Sequence, residues 1–161
     1  MTLYKLKFFF ILLLCSTTIL QSQIKYTDAS NLKLIGKILT ETETLYERLP
    51  IFLKEQSRPA VWNLGKNTSG LAIRFKTNSS SISAKWEVTF DNHMNHMADT
   101  GIKGLDLYVW DNGCWRFVNV ARPTGKTNHA TIISNMDPID REYMLYLPLY
   151  DGVIDLQIGV D

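Results

Sequence analysis

Hydrophobic and polar residues alternate along most of the second half of the chain. In residues 71–76, Leu71, Ile73 and Phe75 alternate with small or charged neighbours, and residues 82–88 repeat the pattern after a serine-rich turn. Side chains of a strand point to opposite faces in turn, so a period of two predicts strands that bury one face. Two such runs around a polar turn predict a hairpin.

Similar runs continue to the last residue and are separated by turn-forming Gly, Asn, Asp and Pro. The predicted strands are residues 71–76, 82–88, 105–109, 114–120, 131–134, 143–147 and 154–160. Short antiparallel strands at this spacing are typical of a β-sandwich. We therefore expect an all-β fold, an antiparallel sandwich of the jelly-roll kind.

The remaining segments have weaker patterns. Residues 23–31 suit an arm or a first edge strand, and residues 40–60, which contain Pro50 and Pro59, predict a long loop packed on the sandwich. Within that loop, residues 40–48 suit a short helix. Asp137 followed by Pro138 is typical of a helix N-terminus and predicts one helical turn through residue 142.

Residues 1–22 have the pattern of a secretory signal peptide. Lys5 and Lys7 precede a short apolar run, and polar residues follow up to Ser22. The apolar run is too short to span a bilayer comfortably. We expect a mature domain of residues 23–161, secreted or periplasmic, with no membrane contact after cleavage.

Composition narrows the classes of function. The chain has 161 residues, which suits one domain, and a formal net charge of +1, which argues against a nucleic-acid partner. Of its 2 cysteines, Cys15 lies in the predicted signal peptide, so Cys114 has no partner for an internal disulfide. A hydrophobic core has to stabilise the domain.

Several motifs suggest catalysis but none is complete. The triplet at Asp99 matches that of aspartic proteases, whose chemistry needs two such aspartates and therefore a dimer here. His93 and His96, with Asp91 nearby, lack a third zinc ligand at a recognisable spacing. The nucleophile elbow Gly-x-Ser-x-Gly does not occur in the sequence. We expect no catalytic residue, metal or cofactor in this chain, and an enzyme acting through a metal or a dimeric aspartate stays an open alternative.

Aromatic residues are the other candidate chemistry. Trp86 falls in the register of the core, whereas Tyr108 and Trp110 fall on the face opposite Leu105 and Leu107. Such rings, together with Trp62, Trp115 and Tyr150, could stack on the apolar faces of sugars. The alternative is a second, local core under the loop of residues 40–60.

Residues 104–108 read Gly-Leu-Asp-Leu-Tyr, which resembles the Gly-x-Asp-Leu-Tyr motif of a β-sandwich domain. That domain occurs at the N-terminus of bacterial SGNH/GDSL-type hydrolases, many of them carbohydrate esterases. The resemblance covers roughly residues 26–161. It extends in order through YERLP at 46–50, RPAVWNL at 58–64, SGLAIRFKTNSSSISAKW at 69–86, MNHMADTGIKGLDLY at 94–108 and EYMLYLPLYDGV at 142–153.

The resemblance implies a role for this chain. In such proteins a catalytic domain follows, with its own Gly-Asp-Ser block and Asp-x-x-His pair, and neither occurs here. We therefore expect a non-catalytic accessory domain that packs on and supports a hydrolase domain in cis, in an esterase acting on acylated carbohydrate. The polar, methionine-containing residues 92–103 suit an interface with that domain or the rim of its cleft.

The alternative is a freestanding carbohydrate-binding module, which would bind a polysaccharide without a partner and lose that affinity on Trp110→Ala. For contacts to the hydrolase domain or to a glycan, the candidates are Tyr108, Trp110, Trp62, His93, His96 and Asp106.

Overall fold

A computed structural model describes residues 23–161, so the predicted signal peptide at residues 1–22 lies outside the described residues. The described part contains two short α-helices, α1 (Pro59–Gly65) and α2 (Asp99–Lys103). None of its helices has the length and apolar character that a bilayer crossing needs. Its strands are β1 (Lys25–Asp28), β2 (Lys33–Ile35), β3 (Ala72–Thr77), β4 (Ile82–Val88), β5 (Leu105–Asp111), β6 (Cys114–Ala121), β7 (Thr127–Ile133), β8 (Arg141–Tyr146) and β9 (Val153–Val160).

The strands form two sheets in which every pairing is antiparallel. The four-stranded sheet has the order β1-β9-β4-β7, and the five-stranded sheet has the order β2-β3-β8-β5-β6. Pairings are nested, because β1 pairs with β9, β3 with β8, β4 with β7, and β5 with β6. Nested pairing over two sheets defines a jelly roll, with β2 as an added edge strand. The predicted all-β sandwich is confirmed, whereas the hairpin predicted over residues 71–88 is wrong, because β3 and β4 lie in different sheets.

The inward faces of both sheets form one hydrophobic core. Trp86 is the largest of its fully buried side chains, at 1% exposure, and its indole N–H donates to the carbonyl of Lys103 at 3.0 Å. That bond satisfies the one polar group that the side chain carries into the core. Other core residues are Ile73, Phe75, Ile82, Ala84, Leu105, Leu107, Tyr143, Leu145, Leu156 and Ile158.

The segment between β2 and β3 is more ordered than the sequence suggests. Residues 40–48 form turns rather than a helix, and Pro59 opens α1 at its first position, where a missing N–H costs nothing. The guanidinium of Arg48 donates to the main-chain carbonyls of Leu64 at 2.8 Å and Asn67 at 2.7 Å. These bonds hold the segment against the end of α1.

The predicted helical turn at residues 137–142 is wrong. Residues 137–140 are irregular, and β8 begins at Arg141. Glu142 pairs with Lys76 in register and accepts a hydrogen bond from Arg74 on β3. Pairing with β3 therefore overrides the local Asp-Pro preference.

Asp151 joins two loops at one end of the sandwich. It is fully buried in the turn between β8 and β9. Its carboxylate accepts hydrogen bonds from the main-chain N–H groups of Phe90 at 2.9 Å, Asn92 at 2.8 Å and Gly152 at 2.8 Å. One side chain thus orders the start of the loop that follows β4.

We expect Asp151→Ala to destabilise the domain by at least about 2 kcal/mol, because it leaves buried N–H groups without an acceptor. Urea unfolding followed by tryptophan fluorescence measures the change. Asp155→Ala is the matched control, since Asp155 is exposed on β9 and its loss should change stability by less than about 0.5 kcal/mol. Equal effects of the two substitutions would contradict this role of Asp151.

Candidate functional site

Three of the predicted contact residues share one surface. Asp106, Tyr108 and Trp110 point outward from β5 on the five-stranded sheet. Outward aromatic side chains of the neighbouring strands complete a surface that we call the aromatic face. Its rings are Tyr108, Trp110, Trp115, Phe117 and Tyr146.

A register shift in the β5–β6 hairpin brings these rings together. The pairing slips between Leu107 and Tyr108, so that Phe117 lies opposite Tyr108 and Trp115 opposite Trp110. Tyr108 packs edge-on against Phe117, with ring centres 5.6 Å apart, and the indoles of Trp110 and Trp115 are 5.2 Å apart. Edge-to-face packing favours such pairs beyond the area they bury.

The aromatic face is partly open to solvent and charged at one side. Trp110 is 44% exposed and Phe117 is 58% exposed. The guanidinium of Arg74 lies 5.6 Å from the ring centre of Trp115 and donates to Glu142, which lowers the pKa of that carboxyl. Exposed aromatic rings beside an arginine are typical of surfaces that bind a partner.

Asp106 is an acidic residue that lies partly buried among the aromatic rings of this face. Its side chain is half-buried between Tyr146 of β8 and Val120 of β6, and burial raises the pKa of its carboxyl. Within residues 23–161 no hydrogen bond to this carboxylate is found. A partly desolvated anion without a donor is a favourable contact point for a partner that supplies one.

Trp62 does not belong to the aromatic face. It lies on α1 with 7% of its surface exposed, and the ammonium of Lys66 is 5.5 Å from its ring centre. Little of the indole is free to contact a partner, because α1 and its neighbours cover it. The sequence predicted contact from residue type alone, and burial on a helix was not visible in the pattern.

His93 and His96 lie at the other end of β5, in the loop of residues 89–104 that connects β4 to β5. Lys103, at the end of α2 in this loop, is completely buried. Its ammonium donates to the carboxylate of Asp91 and to Nε2 of His93 at 3.2 Å, and lies 3.5 Å from Asp99. His96 is exposed and bonds its neighbour Asn95.

The hydrogen bonds of the cluster set the tautomer of His93. An ammonium only donates, so Nε2 of His93 accepts, and the proton on Nδ1 is donated to Asp99 at 3.2 Å. Burial alone would lower the pKa of Lys103, but the hydrogen bond to Asp91 and the charges of both aspartates raise it overall. The same hydrogen bond lowers the pKa of Asp91.

The ammonium of Lys103 therefore occupies the place where Asp91, His93 and Asp99 could have met a cation. Among the residues that the structure describes, no group of three or more His, Cys, Asp or Glu side chains is arranged to hold a metal ion. The burial of Lys103 was not predicted from the sequence, because a lysine near a helix end is ordinarily exposed.

Sequence reasoning also left Phe117 and Tyr146 out of the candidate contacts. Their alternation with neighbouring residues was visible in the sequence. Their proximity to Tyr108 depends on strand order, which local patterns do not reveal.

We expect Asp91→Asn to destabilise the domain more than Lys103→Met. The first change removes the nearest carboxylate from a buried ammonium, whereas the second removes the buried charge and leaves two partly exposed aspartates. Urea midpoints of the two variants give the order. Asp111→Asn is the control, because it breaks an exposed pair with Arg116 (3.0 Å) and should have little effect. The reverse order would show that the pair does not anchor the loop.

The same pair predicts a pH dependence. The folded-state pKa of Asp91 is lowered from its ordinary 3.8, so the stability it contributes is present above that value and is lost as pH falls through the lowered pKa. The difference in stability between the wild type and Asp91→Asn should therefore be constant near neutral pH and shrink below pH 3.8. Urea midpoints measured as a function of pH test this. A difference that stays constant down to the acid limit would contradict it.

Comparisons with known proteins match this fold and motif. The family model described as "GxDLY: N-terminus of Esterase_SGNH_hydro-type" matches residues 24–161. A crystal structure of a candidate GDSL-like lipase from Bacteroides ovatus ATCC 8483 is 40% identical, with a TM-score of 0.82 over 86% of this chain. The salicylyl-acyltransferase SsfX3 of a tetracycline biosynthetic pathway is 16% identical, with a TM-score of 0.56 over 86% of this chain and 39% of its own, and shares the fold.

The match is to one part of a larger protein. This chain covers 41% of the Bacteroides ovatus protein, and no curated protein matches it. The family model spans both sheets, including the Gly-Leu-Asp-Leu-Tyr strand that carries the aromatic face. The chain belongs to the GxDLY family, the domain found at the N-terminus of SGNH-type esterases.

Proposed function

We propose that this domain is the non-catalytic N-terminal part of a secreted SGNH-type esterase that acts on acylated carbohydrate. It packs on the hydrolase domain in cis through the aromatic face and holds that domain in place. The observation that carries the proposal is this face, which presents partly exposed aromatic rings on the strand that bears the family motif.

The composition of the aromatic face favours a protein partner. Centres of protein interfaces are enriched in Trp, Tyr, Phe and Arg, and a few such residues supply most of the binding energy. Trp110, Phe117 and Arg74 have this character and lie on adjacent parts of one sheet. Asp106 would gain a hydrogen-bond donor from the partner and so recover what burial costs it.

A partner in cis is supported by the extent of the match. More than half of the Bacteroides ovatus protein lies beyond the part that this chain covers. In the SGNH-type hydrolases that the sequence resembles, the part that follows this domain is the catalytic domain. Linkage in one chain supplies a high effective concentration, so even a modest interface would stay closed.

Secretion and the substrate class are supported by the sequence. Residues 1–22 have the basic, apolar and polar regions of a signal peptide in order. Acylated carbohydrate comes from the family resemblance, in which many members are carbohydrate esterases.

A freestanding carbohydrate-binding module is the second candidate. Its support is the exposure of Trp110 and Phe117, since flat apolar rings can also stack on sugars. In that case the aromatic face would meet a glycan and not a protein. Trp110 is covered by the hydrolase domain if the chain is an accessory domain, and by a glycan if it is a carbohydrate-binding module.

Hydroxyl-radical footprinting of the product of the complete gene, compared with residues 23–161 alone, tests the proposal. We expect the gene to continue past the Asp161 codon into a Gly-Asp-Ser block and a later Asp-x-x-His pair. Oxidation of Trp110, Trp115 and Phe117 should fall severalfold in the longer protein, because the hydrolase domain covers them.

Two internal controls accompany that measurement. Trp86 should be unreactive in both proteins because it is buried, and Tyr26, on the four-stranded sheet, should react equally in both. Amide exchange of residues 92–103 in the same pair of samples shows whether the loop that carries the histidines also lies in the interface. A stop codon directly after Asp161, or unchanged oxidation of the aromatic face, would reject the proposal.

A further inference from the structure

We infer that the outer face of the four-stranded sheet is a binding site for a neutral, hydroxyl-rich ligand, a segment of a polysaccharide chain. A cleft of about 410 Å³ lies there, on the side of the molecule opposite the aromatic face. This inference deepens the proposed action on carbohydrate and rests on it for the biological setting. Binding itself is measured on the domain alone.

The cleft is floored by outward side chains of three adjacent strands. In register, Lys85 of β4 lies between His129 of β7 and Gln157 of β9, and the next row is Thr127, Glu87 and Asp155. All six line the cleft. Along each strand, the residues next to these six point inward to the core. The outer surface of the sheet therefore carries polar side chains in both rows.

Several of these groups have unused hydrogen-bonding capacity. Among the described residues, the Lys85 ammonium makes no hydrogen bond and lies 3.9 Å above the ring centre of Tyr26. The amide of Gln157 makes one long bond to Asp155 at 3.5 Å, and Glu87 is 3.9 Å from Lys126. Donors and acceptors are therefore available side by side over the floor of the cleft.

Tyr26 contacts two residues of the cleft, Lys85 and His129. Its hydroxyl bonds Nε2 of His129 at 2.7 Å, although the two residues are on opposite edges of the sheet. The ring crosses the sheet over Gly159, where a Cβ atom would lie 2.6 Å from Cε1 of Tyr26. A glycine at this position is what lets the aromatic ring approach the sheet and reach His129 beside the cleft.

The charges of the cleft select the class of ligand. Lys85 in the cleft, and Lys126 beside it at 3.9 Å from Glu87, offset the charges of Glu87 and Asp155. A polyanion would meet both carboxylates, and a polycation would meet both ammonium groups. Sugar hydroxyls both donate and accept, so a neutral glycan satisfies all of these groups at once.

The test is a titration of ¹⁵N-labelled residues 23–161, observed by NMR, with xylohexaose, cellohexaose and mannohexaose, and with oligogalacturonate as the charged comparison. We expect at least one neutral oligosaccharide to shift amides of β4, β7 and β9 around Lys85, His129 and Gln157, and oligogalacturonate to shift none. Lys85→Met and Gln157→Ala should each weaken binding about tenfold, the loss expected for one or two ligand hydrogen bonds.

Lys76→Met is the matched control, because Lys76 is exposed on β3 of the other sheet, and it should leave affinity unchanged. Shifts confined to β5 and β6 and abolished by Trp110→Ala would overturn the inference in favour of the aromatic face. Absence of shifts with all the neutral oligosaccharides at their solubility limits would also overturn it. A gene that stops after Asp161 would remove the proposed hydrolase partner but would leave this titration unaffected.

Discussion

Two sheets that share a single core impose one constraint on every strand: the inward residues have to be apolar and well packed. The same alternation leaves the outward residues free to differ. On β5 it buries Leu105 and Leu107 and turns Tyr108 outward, whereas on β4 it buries Trp86 and turns Lys85 outward. One core therefore supports two outer faces of opposite chemistry. Because these faces point away from each other, a protein partner and a polysaccharide could be bound at the same time.

The position of β5, the strand that carries the Gly-Leu-Asp-Leu-Tyr motif, depends on buried polar groups of the residues just before it. The carbonyl of Lys103 is fixed by Trp86, and its ammonium is fixed by Asp91. Gly104 follows directly, where a Cβ atom would lie 2.4 Å from the carbonyl oxygen of Thr100 and 3.1 Å from that of Ala121. Only a residue without a side chain fits between α2 and β6 at this point. The glycine of the motif thus lets β5 start close enough to its neighbour to set the aromatic face in register.

Local alternation was enough to predict β3 to β9 and the sandwich, because a period of two is imposed by burial on one side, but it did not predict β2. It also placed Trp86 in the core and Tyr108 on the outer face. It failed where long-range contacts decide the outcome. Strand pairing with β3 makes Glu142 extended although Asp-Pro precedes it, packing on α1 buries Trp62, and a charge network buries Lys103. The polar cleft was invisible in the sequence, because its two rows come from three strands that are far apart along the chain.

Nested pairing also governs when the domain can form. Lys25 of the first strand pairs with Val160 of the last, and β9 lies between β1 and β4 in the centre of its sheet. Contacts between such distant residues make folding slow, because a long loop has to close before any of them forms. On a ribosome, β1 must wait for nearly the whole domain to be synthesised, because β9 is its strand partner. The first strand is therefore held back from pairing during synthesis until the last strand has left the ribosome.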